Sequence, residues 1–347
     1  MRAALFNGPG RPITIEDIAD PRPGRDELLV KVCRCGICGS DVTMTGEAPL
    51  TLPLGRFGHE YAGEVVEVGD NVDTFRRGDR ISALPVAPCG TCEGCRSRNP
   101  LFCTQSTFLV GGFGEYMVIP PAAARLLPNS LSFADGALIE PMACGLHALR
   151  LARMPVGARV LVIGAGSIAL SVIYWARALG AGKIVALSRS DHRRDIVMSM
   201  GADAVLTFDA EDRERIAASL GGPPDIVAEC VGKVGMLDLA TQHVRRQGTV
   251  LSLGMCGYDD RVVPARCTGK EIQLLFPHAY TVDEIAETAR AFDSGDVHPD
   301  LMVSDVISLE QLPGTLDALR SGERKSLKVH VDPALRRSSG NPGAPGR

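Results

Sequence analysis

The stretch Gly157-Ala158-Arg159-Val160-Leu161-Val162-Ile163-Gly164-Ala165-Gly166-Ser167-Ile168-Ala169 decides the fold of the second half of the chain. It begins as an apolar run typical of a buried strand and continues as G-x-G-x-x-A, and the apolar segment after it predicts a helix through Leu179. A second predicted strand follows at residues 183–187. In this context the glycine-rich turn binds the pyrophosphate of a dinucleotide on the amides at the helix N-terminus. We therefore predict cofactor contacts at Gly164, Gly166, Ser167 and Ile168.

Alternation of strands and helices continues beyond this stretch. Short apolar runs at residues 204–206, 225–228 and 249–253 are typical of parallel strands, with helical segments between them. Parallel strands joined by helices assemble into a doubly wound sheet. Before residue 152 the pattern changes to short apolar runs broken by Gly and Pro, such as residues 28–32, which predicts a strand-rich partial barrel.

The length of 347 residues corresponds to roughly two domains of ~150 residues each. We predict an α/β protein in which residues 1–151 form a catalytic domain and residues 152–287 form a dinucleotide-binding domain. Residues 288–335, which end in a predicted strand, return to the first domain. Residues 336–347 are rich in Ser, Gly and Pro and are predicted to be a disordered tail.

Composition excludes several classes of protein. The net charge of −4 offers no basic surface for nucleic acid or an anionic membrane, and no apolar run reaches the ~18 residues of a membrane helix. The N-terminus lacks the apolar core of a signal peptide because Gly8-Pro9-Gly10 interrupts it. Eleven cysteines in a chain without a leader indicate a reducing, cytoplasmic location, with metal-bound or free thiols rather than disulfides.

Thiol, imidazole and carboxylate groups are concentrated at Cys35-Gly36-Ile37-Cys38-Gly39-Ser40-Asp41 and at Gly58-His59-Glu60. These are the ligand types of zinc, and a catalytic zinc takes three protein ligands and keeps one position open. We interpret Cys38 and His59 as two of the ligands, and the third is Glu60 or a residue further along. The alternatives to a metal site are a redox pair or two buried thiols at Cys35 and Cys38, and a solvated His-Glu turn.

Glu140 is a candidate for a ligand further along. It stands with Pro141 before a run that predicts a helix from residue 142 to residue 152. A carboxylate at such a place either favours the helix N-terminus or binds metal, and the residues leave both interpretations open.

The segment from residue 89 to residue 103 has the cysteine spacing C-x2-C-x2-C-x7-C, with Gly90, Gly94 and Pro100 between the thiols. Such a segment can wrap one ion tetrahedrally, as structural zinc sites do. An iron–sulfur cluster is the competing interpretation because it also uses four cysteines, and four metal-free thiols would be open to oxidation. We predict a structural zinc bound by Cys89, Cys92, Cys95 and Cys103.

Together these motifs resemble the zinc-dependent medium-chain dehydrogenases, the superfamily of alcohol, sorbitol and threonine dehydrogenases. The resemblance runs from residue 1 to about residue 332. It rests on residues 35–41, 58–60 and 89–103, on Glu140-Pro141, on the Gly164 turn and on Leu327-Lys328-Val329. It implies a GroES-like partial barrel joined to a Rossmann domain, one catalytic and one structural zinc ion, and a homodimer or homotetramer.

The resemblance also implies roles for individual side chains. Cys38 and His59 match catalytic zinc ligands, and Glu60 matches a carboxylate that binds the zinc directly, through water, or not at all. Glu140 matches the ligand of sorbitol- and threonine-type members, where alcohol dehydrogenases have Cys. Asp41 matches the residue that orients the zinc-ligand histidine, because the free ring N–H needs an acceptor. The remaining matches are Ser40, the hydroxyl that relays the alcohol proton, and Lys328, a basic residue near the cofactor pyrophosphate.

The cofactor preference follows from a departure at the end of the second strand of the Rossmann domain. The acidic residue that binds the adenosine ribose is replaced there by Ser188, and Arg189 follows, with Arg193 and Arg194 about one helical turn on. A carboxylate would repel a 2′-phosphate whereas arginine binds it, so we predict NADP(H) over NAD(H). The alternative is that the arginines are a solvated helix start and that Asp191 is a displaced ribose ligand.

The predicted reaction is reversible hydride transfer between a secondary alcohol and a ketone, with polyols, cyclitols, amino alcohols and simple alcohols all open as substrates. Two further departures bear on it. Thr43 stands where many members have the histidine that ends the proton relay, and the segment from residue 103 to residue 115 is short. An enoyl or quinone reductase of the same superfamily is the first alternative, although those enzymes generally lack the zinc ligands. A non-catalytic binding protein that has kept the fold is the second.

Overall fold

The computed structural model describes residues 1–47, 49–99, 102–208, 213–295 and 299–336. The tail predicted at residues 336–347 lies outside the described residues except for Arg336. Among the described residues, each helix falls short of the length and apolar character that crossing a bilayer requires.

The first unit of the fold is built mainly from short strands. Its strands are β1 (Arg2–Phe6), β2 (Thr14–Asp17), β3 (Leu28–Gly36), β4 (Gly55–Arg56), β5 (Glu60–Val68), β6 (Arg80–Ala83), β7 (Val86–Ala87), β8 (Thr107–Phe108), β9 (Tyr116–Ile119) and β10 (Ala124–Leu126). Its helices are α1 (Gly39–Met44), α2 (Glu93–Arg96) and α3 (Phe133–Leu151).

The second unit alternates strands with helices. Its strands are β11 (Arg159–Ile163), β12 (Lys183–Ser188), β13 (Ala204–Thr207), β14 (Ile226–Glu229), β15 (Thr249–Ser252) and β16 (Gln273–Leu275). Its helices are α4 (Ser167–Ala178), α5 (Arg194–Ser199), α6 (Arg213–Leu220), α7 (Met236–His243), α8 (Pro264–Lys270) and α9 (Val282–Asp293). The chain then adds β17 (Val303–Ile307), α10 (Leu312–Ser321) and β18 (Lys328–Val331).

The second unit is a parallel six-stranded sheet with the strand order β13-β12-β11-β14-β15-β16. Val160 and Val162 of β11 point into one apolar cluster, and Leu161 and Ile163 point into another. The sheet is therefore buried on both faces, which is why its strands are continuous apolar runs in the sequence. The predicted doubly wound sheet is confirmed, and its crevice is expected outside the carboxyl ends of β11 and β14, where the strand order reverses.

The first unit contains a curved sheet with the strand order β10-β6-β5-β3-β18-β17, in which β9 also pairs with β3. From the end of the chain, β18 thus lies beside β3, which comes from its beginning, and β17 lies beside β18. The backbones of β3 and β5 approach closely at Gly63, where a Cβ would meet the carbonyl oxygen of Lys31 at 2.1 Å. A glycine in a strand commonly marks such an approach. The predicted strand-rich partial barrel is confirmed.

Helix α3 begins earlier than the sequence suggests. The predicted start is residue 142, but the helix begins at Phe133, because Ser132 and Asp135 form a capping box in which the Ser132 hydroxyl accepts the Asp135 N–H at 3.1 Å. Pro141 lies inside the helix. Glu140 is therefore an interior helical residue, and its interpretation as a carboxylate at the helix N-terminus is wrong.

Helix α3 joins the two units by packing on α4. A Cβ at Gly145 would meet Oγ of Ser171 at 2.2 Å, so glycine is needed for the two helices to come this close. The Ser171 hydroxyl and the Trp175 indole N–H both donate to the carbonyl of Met142 at 2.8 Å. The helix that carries Glu140 is thereby fixed to the helix that begins at the glycine-rich turn.

Candidate zinc centres and cofactor crevice

Cys38, His59 and Glu60 converge on one point of the first unit. Cys38 is the last residue before α1, His59 precedes β5, and Glu60 is the first residue of β5. The donor atoms, which are a sulfur, a ring nitrogen and a carboxylate oxygen, all lie within 4.8 Å of one another. Cys38 and His59 are half-buried whereas Glu60 is fully buried. The donor set fits a zinc ion that keeps one position for a further ligand.

Asp41 connects two members of this set. Its Oδ2 accepts the backbone N–H of Cys38 at 2.9 Å, and its Oδ1 lies 3.5 Å from Nδ1 of His59. Among the described residues, Oδ1 is a buried atom without a hydrogen bond, so a proton on Nδ1 of His59 would satisfy it. That tautomer leaves Nε2 of His59 free for a metal ion. The structure therefore brings Asp41 and His59 together in the way that the resemblance implies.

Glu60 forms an ion pair with Lys328, which the sequence analysis expected near the cofactor. Glu60 pairs with Gly36 of β3, where a Cβ would meet its Oε2 at 2.1 Å, so glycine leaves room for the carboxylate. The ammonium of Lys328 donates to the two oxygens of Glu60 at 2.8 and 2.7 Å and to the carbonyl of Ile37 at 3.0 Å. Both charged side chains are 1% exposed. Lys328 therefore uses its three protons inside the protein, and the expectation that it faces the cofactor pyrophosphate is corrected.

Glu140 lies beside this donor set rather than within it. Its Oε1 accepts the hydroxyl of Tyr280 at 2.9 Å, and both side chains are buried. Burial raises the pKa of Glu140 to about 7, and the charges of His59 and Glu60 act on it in opposite directions. Glu140 is thus close enough to interact with both residues, but it is a carboxylate oxygen of Glu60 that lies within 4.8 Å of the donor atoms of Cys38 and His59. Sequence analysis missed Tyr280, since no local motif signals a contact with residue 140.

Helix α1 carries Ser40, the predicted proton relay, and Thr43, which stands where many members of the superfamily have histidine. Ser40 is half-buried in the first turn, two residues after Cys38, and Thr43 is half-buried about one turn further on. Within the described part of the chain, no hydrogen bond occupies the Ser40 hydroxyl, so it is free to bind a substrate.

Cys35 is fully buried under Gly112, where a Cβ would meet its sulfur at 2.6 Å, and it is not part of the donor set. This burial disfavours a redox pair of Cys35 and Cys38.

The four cysteines of the segment 89–103 form a second donor set. Their sulfur atoms all lie within 4.8 Å of one another. The backbone N–H groups of Cys89, Gly90 and Cys92 donate to these sulfurs at 3.3, 3.3 and 3.4 Å. A hydrogen bond from the Thr91 hydroxyl lowers the pKa of Cys89 to about 5, whereas burial raises the pKa of Cys95 to about 12, so the four thiols differ in how readily they ionise. The set fits the predicted structural zinc.

The glycine-rich turn at the crevice fits a phosphate group. Gly164 has a φ of 120°, which glycine adopts without strain. Helix α4 begins with Ser167 and Ile168 after Gly166, which offers no side chain to cap the first turn. The first amides of α4 are therefore available to an anion.

Ser188 and Arg189 lie at the end of β12 and just after it, and Arg189 is exposed. The guanidinium of Arg193 is partly used by the protein, since it donates to the carbonyls of Ala165 at 2.8 Å, Lys325 at 2.9 Å and Ser326 at 3.1 Å. It thereby connects the glycine-rich turn to the residues before β18.

Arg194 and Asp191 bind each other, with Nη2 of Arg194 at 2.9 Å from Oδ1 of Asp191, and Nη2 also donates to the carbonyl of Val205 at 3.0 Å. These contacts weigh against Arg194 as a phosphate ligand, and they weigh against the alternative in which Asp191 binds the ribose.

Known proteins match this chain along nearly its whole length. A family profile described as Alcohol dehydrogenase GroES-like domain matches residues 24–129, and one described as Zinc-binding dehydrogenase matches residues 167–294. Sorbitol dehydrogenase from Bacillus subtilis (strain 168) is 30% identical over 96% of this chain and 97% of its own. D-arabinitol dehydrogenase 1 from Uromyces fabae is 30% identical over 95% of this chain and 97% of its own.

Solved structures share the fold as well. A zinc-binding dehydrogenase from Sinorhizobium meliloti 1021, bound to NADP, has a TM-score of 0.85 and 30% identity, covering 96% of this chain and 99% of its own. The 2R,3R-butanediol dehydrogenase from Bacillus subtilis has a TM-score of 0.84 and 28% identity, with the same two coverages of 96% and 99%.

Proposed function

The chain belongs to the zinc-dependent medium-chain dehydrogenases, and we propose that it transfers a hydride reversibly between a secondary alcohol and NADP(H). The observation that carries this proposal is the convergence of Cys38, His59 and Glu60, with Asp41 beside the histidine. Relatives named for sorbitol, arabinitol and butanediol support a polyol or diol as the substrate.

Each side chain near the site has a separate proposed role. Cys38, His59 and Glu60 hold the catalytic zinc, and Asp41 fixes the orientation of His59. When bound, zinc supplies Lewis acidity toward the alcohol oxygen, and the nicotinamide supplies the hydride acceptor. The hydroxyl of Ser40 relays the proton of the alcohol: it gives up its own proton as it receives that of the alcohol. Because Thr43 has no group that accepts a proton as an imidazole does, the proton that Ser40 gives up passes to the cofactor ribose and water.

A substrate panel tests the proposal. Secondary alcohols, polyols and diols are assayed with NADP and with NAD, before and after treatment with a chelator, alongside enones and quinones. We expect oxidation of at least one polyol or diol, and loss of that activity when the chelator removes zinc. Reduction of an enone or quinone without oxidation of any alcohol would identify a reductase instead, and zinc-loaded protein inactive throughout the panel would favour a binding protein.

The preference for NADP is supported by the residues that follow β12. Ser188 takes the place of a carboxylate that would repel the 2′-phosphate. Arg189 is exposed and, within the described residues, has no ion-pair partner, so its guanidinium is available to phosphate oxygens. Arg193 lies close by and keeps part of its guanidinium on backbone carbonyls. A solved relative at 30% identity is bound to NADP, which also supports this preference.

Combining Ser188→Asp with Arg189→Ala is expected to shift the ratio of kcat/KM for NADP over NAD about tenfold or more toward NAD. The reason is that each charge-assisted hydrogen bond to the phosphate contributes roughly 1.5–3 kcal/mol. Arg194→Ala is the matched control, because this arginine is already bound to Asp191 and its loss should leave the ratio unchanged. A wild type that prefers NAD, or a double variant with the wild-type ratio, would show that these residues do not bind the phosphate.

The proposal also includes the assembly and the compartment. A homodimer or homotetramer is proposed on the strength of the family resemblance. A cytoplasmic location is supported by the eleven cysteines, none of which forms a disulfide among the described residues. It is also supported by the need of zinc-binding thiols to stay reduced.

A further inference from the structure

We propose that Tyr280 is a positioning residue for Glu140, and that the four-cysteine segment 89–103 sets the position of Tyr280 through Arg98. The inference rests on the proposed zinc site at Cys38, His59 and Glu60, since Glu140 lies beside that site. It connects the two zinc sites through contacts made by the protein itself.

The hydroxyl of Tyr280 supplies a fixed hydrogen bond to Glu140. Tyr280 is 2% exposed and Glu140 is 7% exposed, so water competes little for the bond of 2.9 Å between them. A buried carboxylate that loses its donor keeps the cost of desolvation without compensation. Because the charges of His59 and Glu60 both act on Glu140, the orientation of Glu140 determines the electric field that this carboxyl group exerts at the zinc site.

Tyr280 is held in place by the beginning of α9. It directly precedes Thr281, whose N–H donates to Oε2 of Glu284 at 2.7 Å in a capping box. The same oxygen lies 3.0 Å from Nδ1 of His147. His147 and Glu140 lie two turns apart on α3. The beginning of α9 is therefore attached to α3 at two places, one of which is the bond between Tyr280 and Glu140.

Arg98, which lies in the four-cysteine segment, also holds the beginning of α9. Its carbonyl accepts the N–H of Val282 at 3.1 Å, and its guanidinium binds Asp283 through Nε at 2.7 Å and Nη2 at 2.5 Å. Arg98 belongs to the four-cysteine segment, because its N–H donates to the carbonyl of Cys95 at 3.0 Å.

The backbone of Arg98 makes it sensitive to the state of the cysteines. It has a φ of 59°, which a residue other than glycine seldom adopts, so the fold of the segment has to hold it there. A structural zinc bound by Cys89, Cys92, Cys95 and Cys103 fixes that fold. The position of Arg98, and with it the beginning of α9 and Tyr280, therefore depends on the second zinc site.

The first test compares Tyr280→Phe with Tyr61→Phe. Tyr61 is 1% exposed and its hydroxyl has no hydrogen-bond partner among the described residues, so Tyr61→Phe removes a buried hydroxyl without breaking a bond. Co²⁺ is placed in the catalytic site, and zinc stays in the four-cysteine site. The affinity of the catalytic site for Co²⁺ is measured by competition with a chelator, and the visible spectrum of the bound Co²⁺ is recorded. For Tyr280→Phe we expect an affinity for Co²⁺ about ten- to a hundredfold below that of the wild type, and a changed visible spectrum. This is the effect expected when a group that orients the residues around a metal is lost. Tyr61→Phe should match the wild type.

The second test addresses the link through Arg98. Asp283→Asn should weaken Co²⁺ binding about two- to fivefold, the range expected for one exposed ion pair. Glu287→Gln is the matched control, because the pair of Arg150 and Glu287 also joins α3 to α9 but lies further from Tyr280. In the Tyr280→Phe protein, Asp283→Asn should have no further effect, since both substitutions act through the same hydroxyl.

Each outcome separates one part of the inference from another. Equal Co²⁺ affinities of the Tyr280→Phe and Tyr61→Phe proteins would overturn the role of Tyr280. Additive effects of Asp283→Asn and Tyr280→Phe would overturn the link to the four-cysteine segment. If the wild type itself binds no Co²⁺ at this site, the proposed function fails instead.

Discussion

Replacement of Cys38 by serine is expected to abolish alcohol oxidation while the fold stays intact. A hydroxyl is a poor substitute for the thiolate that zinc prefers, and Cys38 is only half-buried, so serine is tolerated at its position before α1. We expect zinc to fall from two ions to one per subunit. The rate should fall at least about a thousandfold, because a Lewis-acidic metal contributes several kcal/mol of transition-state stabilisation. Elemental analysis and initial rates measure the two effects.

The matched control for this substitution is Cys33→Ser. Cys33 is a half-buried thiol of β3 whose sulfur faces the carbonyl of Lys31 at 3.7 Å, and it belongs to neither donor set. The Cys33→Ser protein should keep both zinc ions and its activity. Full activity in wild-type protein that contains one zinc ion or none would contradict the assignment of two zinc sites.

Replacement of Lys328 by methionine is expected to lower the free energy of unfolding of the metal-free protein by about 3–5 kcal/mol. That is the cost of removing one partner of a buried ion pair, because the carboxylate of Glu60 is left charged and unpaired. Lys328 and Glu60 are both 1% exposed, so water cannot replace the lost ammonium. Urea unfolding of zinc-free protein measures the change.

Two comparisons sharpen this prediction. Adding Glu60→Gln to Lys328→Met should restore most of the lost stability, since no buried charge is then left unpaired. Lys31→Met, at an exposed position of β3, should change the free energy of unfolding by no more than about 0.5 kcal/mol. A Lys328→Met protein as stable as the wild type would refute the importance of this pair.

The parts of the fold that could be predicted are those that leave a local pattern. Each parallel strand of the second unit is a continuous apolar run because both faces of its sheet are buried. The glycine-rich turn and the four-cysteine segment carry their spacing within a few residues. For the same reason Cys38 and His59 could be proposed as ligands before the structure was known, each from the motif around it.

The parts that could not be predicted depend on contacts between distant residues. Lys328 and Glu60 are 268 positions apart, and Tyr280 and Glu140 are 140 positions apart. No periodicity or motif in either segment points to the other. The start of α3 is hard to predict for a different reason. Proline is common in the first turn of helices, so Pro141 indicates a start near residue 142, whereas Ser132 caps the helix before Phe133.

Arg193 couples the glycine-rich turn to the segment that precedes β18. Its guanidinium donates to the carbonyl of Ala165 on one side and to the carbonyls of Lys325 and Ser326 on the other. A displacement of either segment relative to the other would break hydrogen bonds of Arg193. This side chain therefore acts as a tether that resists the separation of the two segments.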